Sequence, residues 1–224
     1  ITNYQTPNAA VTYEREDLPS TQDNWELGGD YEHNFGNGGK YKFLFIVNEE
    51  DRATTRESFV STVLGGAETK DLFLDTYSKY QERIARTSYT WPVAAEQSLE
   101  LGVEGAQTIQ NSALRLGLNL PGETSADFGG LRPMPVPNAF SEVEEVRFEG
   151  FAIHNWQINS RISLESSLFY EISEIDQSGD INKKRDFAFV KPKLDLRFDI
   201  NSSFQLRASA EKDVSQLSFR DFSA

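Results

Sequence analysis

The 224-residue sequence predicts an all-β fold, a long antiparallel meander whose strands each carry one apolar and one polar face. Three observations predict it. Side chains alternate with a two-residue period over long runs, clusters of Gly, Asn, Asp and Ser separate those runs, and no stretch holds the 3.6-residue period of an amphipathic helix.

About ten strands are expected, near residues 24–34, 40–49, 53–64, 70–85, 96–107, 109–120, 142–153, 156–174, 186–200 and 203–219. The first twenty residues hold no clean strand. In the fifth expected strand Leu99, Leu101 and Val103 alternate with Ser98, Glu100, Gly102 and Glu104, and in the sixth Leu114, Leu116, Leu118 and Leu120 alternate with Arg115, Gly117 and Asn119. From Arg161 to Ile172 the even positions read Ile162, Leu164, Ser166, Leu168, Tyr170 and Ile172, with Phe169 the one apolar exception on the odd face. Leu194, Leu196, Phe198 and Ile200 oppose Lys193, Asp195, Arg197 and Asp199, a fully charged second face. This spacing predicts that Leu99, Leu101, Val103, Ile162, Leu164, Leu168, Tyr170, Leu194, Leu196 and Phe198 share one side of the sheet.

The joints divide into two kinds. Asn34–Gly39 and Asn201–Ser203 read as tight hairpin turns, His154-Asn155-Trp156 as a short turn, and Pro121–Asn138 and Asp176–Arg185 as long loops. In a transmembrane barrel the short turns gather on one rim and the long loops on the other.

Composition narrows the class. The 16 Phe, 8 Tyr and 3 Trp are too many aromatics for a solvating tail. A net charge of −13 argues against a nucleic-acid role. Zero cysteines exclude disulfides and Cys-ligated metals. The longest apolar run, Phe43–Val47, is far short of the roughly 20 residues a membrane helix needs, although a transmembrane strand needs only about 10. The opening at Ile1, without initiator Met or signal core, reads as a processed or internal piece of something longer. Alternation over ten or more residues favours membrane strands over the 5–6 residues usual in soluble sandwiches, yet a soluble all-β form satisfies the same periodicity.

Ordered stretches carry a family resemblance. WELGGDYEHNFGNGGKYKFLFIVNEE (25–50), QSLELGVEGAQT (97–108), VEEVRFEGF (143–151), YEISEIDQSGD (170–180) and FVKPKLDLRFDINSSFQLRASAEKDVSQLSFRDF (189–222) resemble successive barrel strands of TonB-dependent outer-membrane receptors. The resemblance implies that residues 1–224 are part of a large transmembrane β-barrel of roughly 22 strands. The family's plug domain and energy-coupling box have no counterpart in the sequence, and the chain stops at Phe222-Ser223-Ala224 rather than on a closing aromatic strand. It further implies a Gram-negative outer-membrane receptor for active uptake of a scarce nutrient, a siderophore, carbohydrate or similar compound, with no catalytic step and no cofactor. Its implied partners are outer-membrane lipid and lipopolysaccharide, a periplasmic energy-coupling protein reached through the plug, and a small-molecule or oligosaccharide ligand. The competing readings are a soluble all-β carbohydrate-binding domain and, behind it, a β-sandwich hydrolase.

No residue set defines a catalytic or metal site. His33 and His154 are far apart in sequence and read as polar residues near strand ends. Asp176, Ser178, Asp180 and Asn182 loosely resemble a calcium loop, but the positions that need Gly and an acid hold Ile181 and Phe187, so a solvated loop is expected. Glu142, Glu144, Glu145 and Glu149 with Arg147 could be read as glycosidase acids. Because Glu145, Arg147 and Glu149 share a strand face, a charged ladder lining a wet lumen is the simpler account. No phosphate loop, nucleophile elbow or dinucleotide fingerprint occurs, and Asn201-Ser202-Ser203 is a glycosylation triplet in a tight turn. Trp25, Trp91 and Trp156, with Tyr4, Tyr13, Tyr31, Tyr41, Tyr77, Tyr80, Tyr89 and Tyr170, are expected mainly in interfacial girdles. Any of them that face the lumen would be better placed to contact ligand, and the sequence does not separate the two groups.

Overall fold

The computed structural model describes residues 11–214. They form one ten-stranded antiparallel sheet: β1 (Tyr13–Asp17), β2 (Ser20–Asn34), β3 (Lys40–Ser61), β4 (Thr69–Ala94), β5 (Gln97–Leu118), β6 (Arg132–Met134), β7 (Phe140–Asn159), β8 (Ile162–Gly179), β9 (Lys183–Asp199) and β10 (Gln205–Glu211). The long strands follow one another as neighbours, β3-β4-β5-β7-β8-β9-β10. β1 and β2 together edge β3, β1 against its far end (Tyr13↔Ser61) and β2 against the rest (Asn34↔Lys40). They are one edge strand interrupted at Leu18-Pro19, where proline has no N–H to donate. β6 pairs with the last residues of β5, and only a short 3-10 turn at Ala126–Phe128 departs from strand and loop.

Several expected boundaries are corrected. Residues 40–49 and 53–64 are one strand, β3, and 96–107 and 109–120 are one strand, β5. His154, Asn155 and Trp156 lie within β7, and the turn falls at Ser160-Arg161. Most of Asp176–Arg185 is paired, with the register Gln177↔Lys183 leaving only residues 180–182 as the connection. A strand, β1, also stands in the first twenty residues. The expected last strand is described only over Gln205–Glu211, and residues 215–219 lie outside the described residues.

The joints sort onto the two rims as predicted, but only 62–68 and 119–139 are long; the expected long loop at Asp176–Arg185 is the three-residue connection 180–182. Residues 35–39, 95–96, 160–161 and 200–204 turn the chain at one end, and 62–68, 119–139 and 180–182 connect at the other. Asn201 fixes its turn by accepting the N–H groups of Ser203 (2.9 Å) and Phe204 (3.0 Å). Among the described residues β2 pairs only with β3 and β10 only with β9, so no ladder joins the two edges.

Candidate functional site

Register sorts every strand residue onto one of two faces. Leu101↔Ala152, Ala152↔Leu168 and Leu168↔Pro192 form one row, Val103↔Gly150, Gly150↔Tyr170 and Tyr170↔Val190 the next. Ile162↔Phe198, Leu164↔Leu196 and His154↔Ser166↔Leu194 continue toward the short turns, with Leu99 opposite His154. The ten apolar residues singled out by their spacing therefore share one face. That face is exposed: Leu168, Leu194 and Val103 are 50%, 50% and 58% accessible.

The other face is mostly polar and, over β7 and β8, largely buried, with Val143, Phe151 and Ile175 buried among the polar residues. Ser88, Thr108, Ser141, Glu145, Ser167, Glu171, Ser173 and Gln177 are all under 9% accessible, and register places all of them opposite the apolar side. A single sheet has no second layer to cover it, so this burial comes from neighbours on the same face. Such crowding requires the sheet to curl toward the polar side, making it concave and the apolar side convex.

The apolar band has a definite height. On β8 it runs from Ile162 to Ile172, after which Glu174 and Asp176 occupy the same face. Ten residues of strand at the usual barrel tilt rise about 25 Å, the thickness of the lipid-facing band of an outer-membrane barrel. On β3 the band ends at Val47, beyond which Glu49, Asp51, Thr55 and Glu57 face outward. β3, β4 and β5 thus extend about 35 Å past the band on the side of the long connections. On this extension the outward residues pair with one another, Lys79–Glu49 at 2.8 Å and Arg115–Asp75 at 2.6 Å. At its tip Arg15 donates to Glu68 (2.9 Å) and to Asp17, which together hold its guanidinium above its ordinary pKa.

At the opposite border an aromatic string follows the short-turn rim. Tyr41, Tyr31, His33, Phe35, Tyr89 and Trp91 contact in succession, with ring centroids 4.5–6.4 Å apart. Trp25, Trp91 and Trp156 all lie on the convex face, as do Tyr31, Tyr41, Tyr77, Tyr89 and Tyr170. Tyr4 lies outside the described residues. Of the remaining large aromatics on β3–β9, the concave face holds Tyr80, Phe151, Phe169, Phe187 and Phe189. The one exception to the alternation, Phe169, is a lumen residue stacked on Phe151 at 5.7 Å.

The concave wall carries a connected ionic network. Arg147 donates to Glu104 at 3.0 Å, Arg86 reaches the same carboxylate at 3.5 Å, and the Arg86 guanidinium lies 4.1 Å above the Phe151 ring. Lys191 bridges Glu149 (2.5 Å) and Glu171 (2.7 Å) across three strands. Glu145, Arg147 and Glu149 stand together on this face as expected. Arg147 is committed to Glu104 across the sheet, however, and Glu142 and Glu144 point the other way.

The two histidines are not brought together. His33 sits in the aromatic string, and His154, four strands away on the convex face, pairs its Nε2 with Gln97 Oε1 at 3.1 Å. Asp176 and Ser178 belong to β8, and Asp180 accepts the Phe140 N–H at 3.1 Å. Among the described residues no group of three or more His, Asp or Glu is placed to hold a metal ion. A concavity of about 790 Å³ is an open groove at the short-turn rim beside Asn155, Glu165, Arg197 and Arg207.

A curved sheet with an exposed apolar belt, a buried charged wall and rims of unequal length is the wall of a transmembrane β-barrel. The chain belongs to the family described as TonB dependent receptor-like, beta-barrel, whose model matches residues 1–223. No curated protein sequence matches it. Among solved structures it is similar to the ferric citrate transporter FecA in the unliganded form, at 12% identity and a TM-score of 0.47. It is also similar to the alcaligin outer-membrane receptor FauA from Bordetella pertussis, at 13% identity and a TM-score of 0.30. The matches cover 77% and 88% of this chain but 27% and 42% of those chains, so it spans less than half the length of either.

Proposed function

We propose that this chain is part of the barrel wall of a Gram-negative outer-membrane receptor that takes up a scarce nutrient by energy-coupled transport. The observation that carries the reading is the inverted polarity of the sheet, with leucines such as Leu168 and Leu194 exposed on the convex side and Glu171 and Gln177 buried on the concave side. In water that arrangement leaves the apolar face uncovered; in a bilayer both faces are satisfied. A soluble carbohydrate-binding domain would need a second layer over the belt.

A bilayer tolerates no open edge, so in this reading β2 and β10 pair with further strands of the same barrel. The ionic wall lines a lumen in which a plug domain sits, and coupling to a periplasmic partner runs through that plug. The barrel's role is selective binding and a gated path rather than catalysis. The test is fractionation and gel behaviour of the full-length protein. It should appear in the outer-membrane fraction, require detergent, and migrate faster unheated than boiled; recovery as a soluble protein with no heat-dependent shift would refute the reading.

A further inference from the structure

We propose that the lumen wall above the membrane belt, around Arg52, is a contact site for a carboxylated oligosaccharide. This rests on the receptor reading and adds the chemical class of the ligand. Arg52, Ser78, Ser112 and Ser141 stand in one register row across β3, β4, β5 and β7, all on the concave face. Neighbouring strands are about 4.8 Å apart, so Arg52 to Ser112 spans about 10 Å, the length of a disaccharide, and Ser141, buried and accepting from Gln177, ends the row. Part of it lines a cavity of about 350 Å³, closed on one side by Asn138 and Ala139 where the long connection rejoins the sheet.

The chemistry of this row differs from that of the wall below it. Arg86, Arg147 and Lys191 are each committed to a carboxylate, whereas the Arg52 side chain is exposed and makes no ion pair or hydrogen bond among the described residues. The nearest acid on its face, Glu50, is engaged by Gln22 at 2.9 Å. A guanidinium held in a fixed strand position with its five donors open is matched to a carboxylate. Ser78 and Ser112 beside it are short, leave room above the sheet, and offer hydroxyls that donate or accept, as sugar hydroxyls require. Stacking is not the means of recognition here, because the three tryptophans face outward and Tyr80 is the aromatic nearest the row on this face. Charge and hydrogen bonding select the ligand, and a neutral sugar of equal length lacks the group that Arg52 recognises.

The experiment is calorimetric titration of the full-length receptor in detergent with trigalacturonate and, separately, with neutral maltotriose. Wild type should bind trigalacturonate and not maltotriose. Arg52→Gln should weaken trigalacturonate roughly 10- to 100-fold, the range of one charge-assisted hydrogen-bonded pair. Ser112→Val, which keeps the fold if Arg52→Gln does not, should weaken it several-fold, and Arg161→Gln at the opposite rim should change nothing. Wild type that binds maltotriose as tightly as trigalacturonate, or neither, would overturn the proposal, as would full affinity in Arg52→Gln or in Ser112→Val. A failed receptor reading would show itself separately, as absence from the outer-membrane fraction.

Discussion

The ring of Phe151 lies against the backbone of Gly102, its partner across the β5–β7 ladder on the lumen face. A Cβ at position 102 would stand within 2.7 Å of both Phe151 Cε1 and Thr87 O. The glycine is required by close approach of a ring to the strand, which it covers in place of a side chain. The Arg86 guanidinium lies 4.1 Å from the same ring's centroid. Gly102→Ala is expected to cost about 1–3 kcal/mol by overpacking. Combined with Phe151→Leu the cost should be less than the sum of the two single changes, because the clash is shared. Urea midpoints of refolded protein in lipid vesicles measure both, and strict additivity would show that the contact is not the cause.

Much of this sheet was legible in the sequence, and most of the errors share one physical origin; the turn expected at His154-Asn155-Trp156, within the belt, does not. Alternation is clearest where one face meets lipid, although Leu114, Leu116 and Leu118 alternate above the belt on the concave face. In β8 and β9 it marks Ile162–Ile172 and Leu194–Phe198, and the structure puts those residues on the convex belt. Above the belt both faces meet water, so Glu49-Glu50-Asp51-Arg52 in β3 looks like a break between strands although each residue is paired. The same reason hid Asp176–Gly179 and Lys183–Arg185, and it hid β1, whose residues are all exposed. Which aromatics face the lumen was not legible, because a ring at a strand end reads alike on either face. Arg52 fell within such an apparent break, and only register shows it beside Ser78 and Ser112.

Charge placed on the two faces should have opposite consequences. Leu168 lies near mid-belt on the convex side, and Thr90 lies on the lumen face opposite Glu100. Leu168→Arg is expected to destabilise the folded barrel by about 2–4 kcal/mol, the cost of arginine at the bilayer midplane. Thr90→Arg places the new cation between Glu100 and Lys40, whose own charge is paired with Glu32 at 2.9 Å, and should stay within about 1 kcal/mol of wild type. Equal losses in vesicle unfolding titrations would contradict the assignment of faces.

The Lys191 bridge holds two acids of unequal burial, Glu149 at 11% and Glu171 at 5% side-chain accessibility. Removing the ammonium in Lys191→Met leaves both charges without their cation, and the expected loss is about 3 kcal/mol. Adding Glu171→Gln should recover a large part of it, because the charge most deprived of water is gone. A double variant no more stable than Lys191→Met would show that the lysine acts through packing rather than charge.

The rim asymmetry gives an orientation. Leu64, 77% exposed in the connection between β3 and β4, lies at the long-connection end, and Asn37 lies in a short turn at the other. The chain has no cysteine of its own to interfere. In intact cells producing the full-length protein, Leu64→Cys should react with a membrane-impermeant maleimide while Asn37→Cys reacts only after lysis. The reverse pattern would invert the topology.

In the receptor reading the convex belt faces lipid and the concave wall faces an aqueous lumen. That placement is tested most directly by spin labels on single cysteines at each position from Ile162 to Ile172 in the full-length protein reconstituted in vesicles. Collision rates should oscillate with a two-residue period. Labels at 162, 164, 166, 168, 170 and 172 should favour oxygen, which partitions into lipid, and those at 163, 165, 167, 169 and 171 should favour a water-soluble nickel chelate, with the contrast fading at 174 and 176 where the outward face turns acidic. Equal access of the nickel chelate to even and odd positions would contradict it and return the sheet to water on both sides.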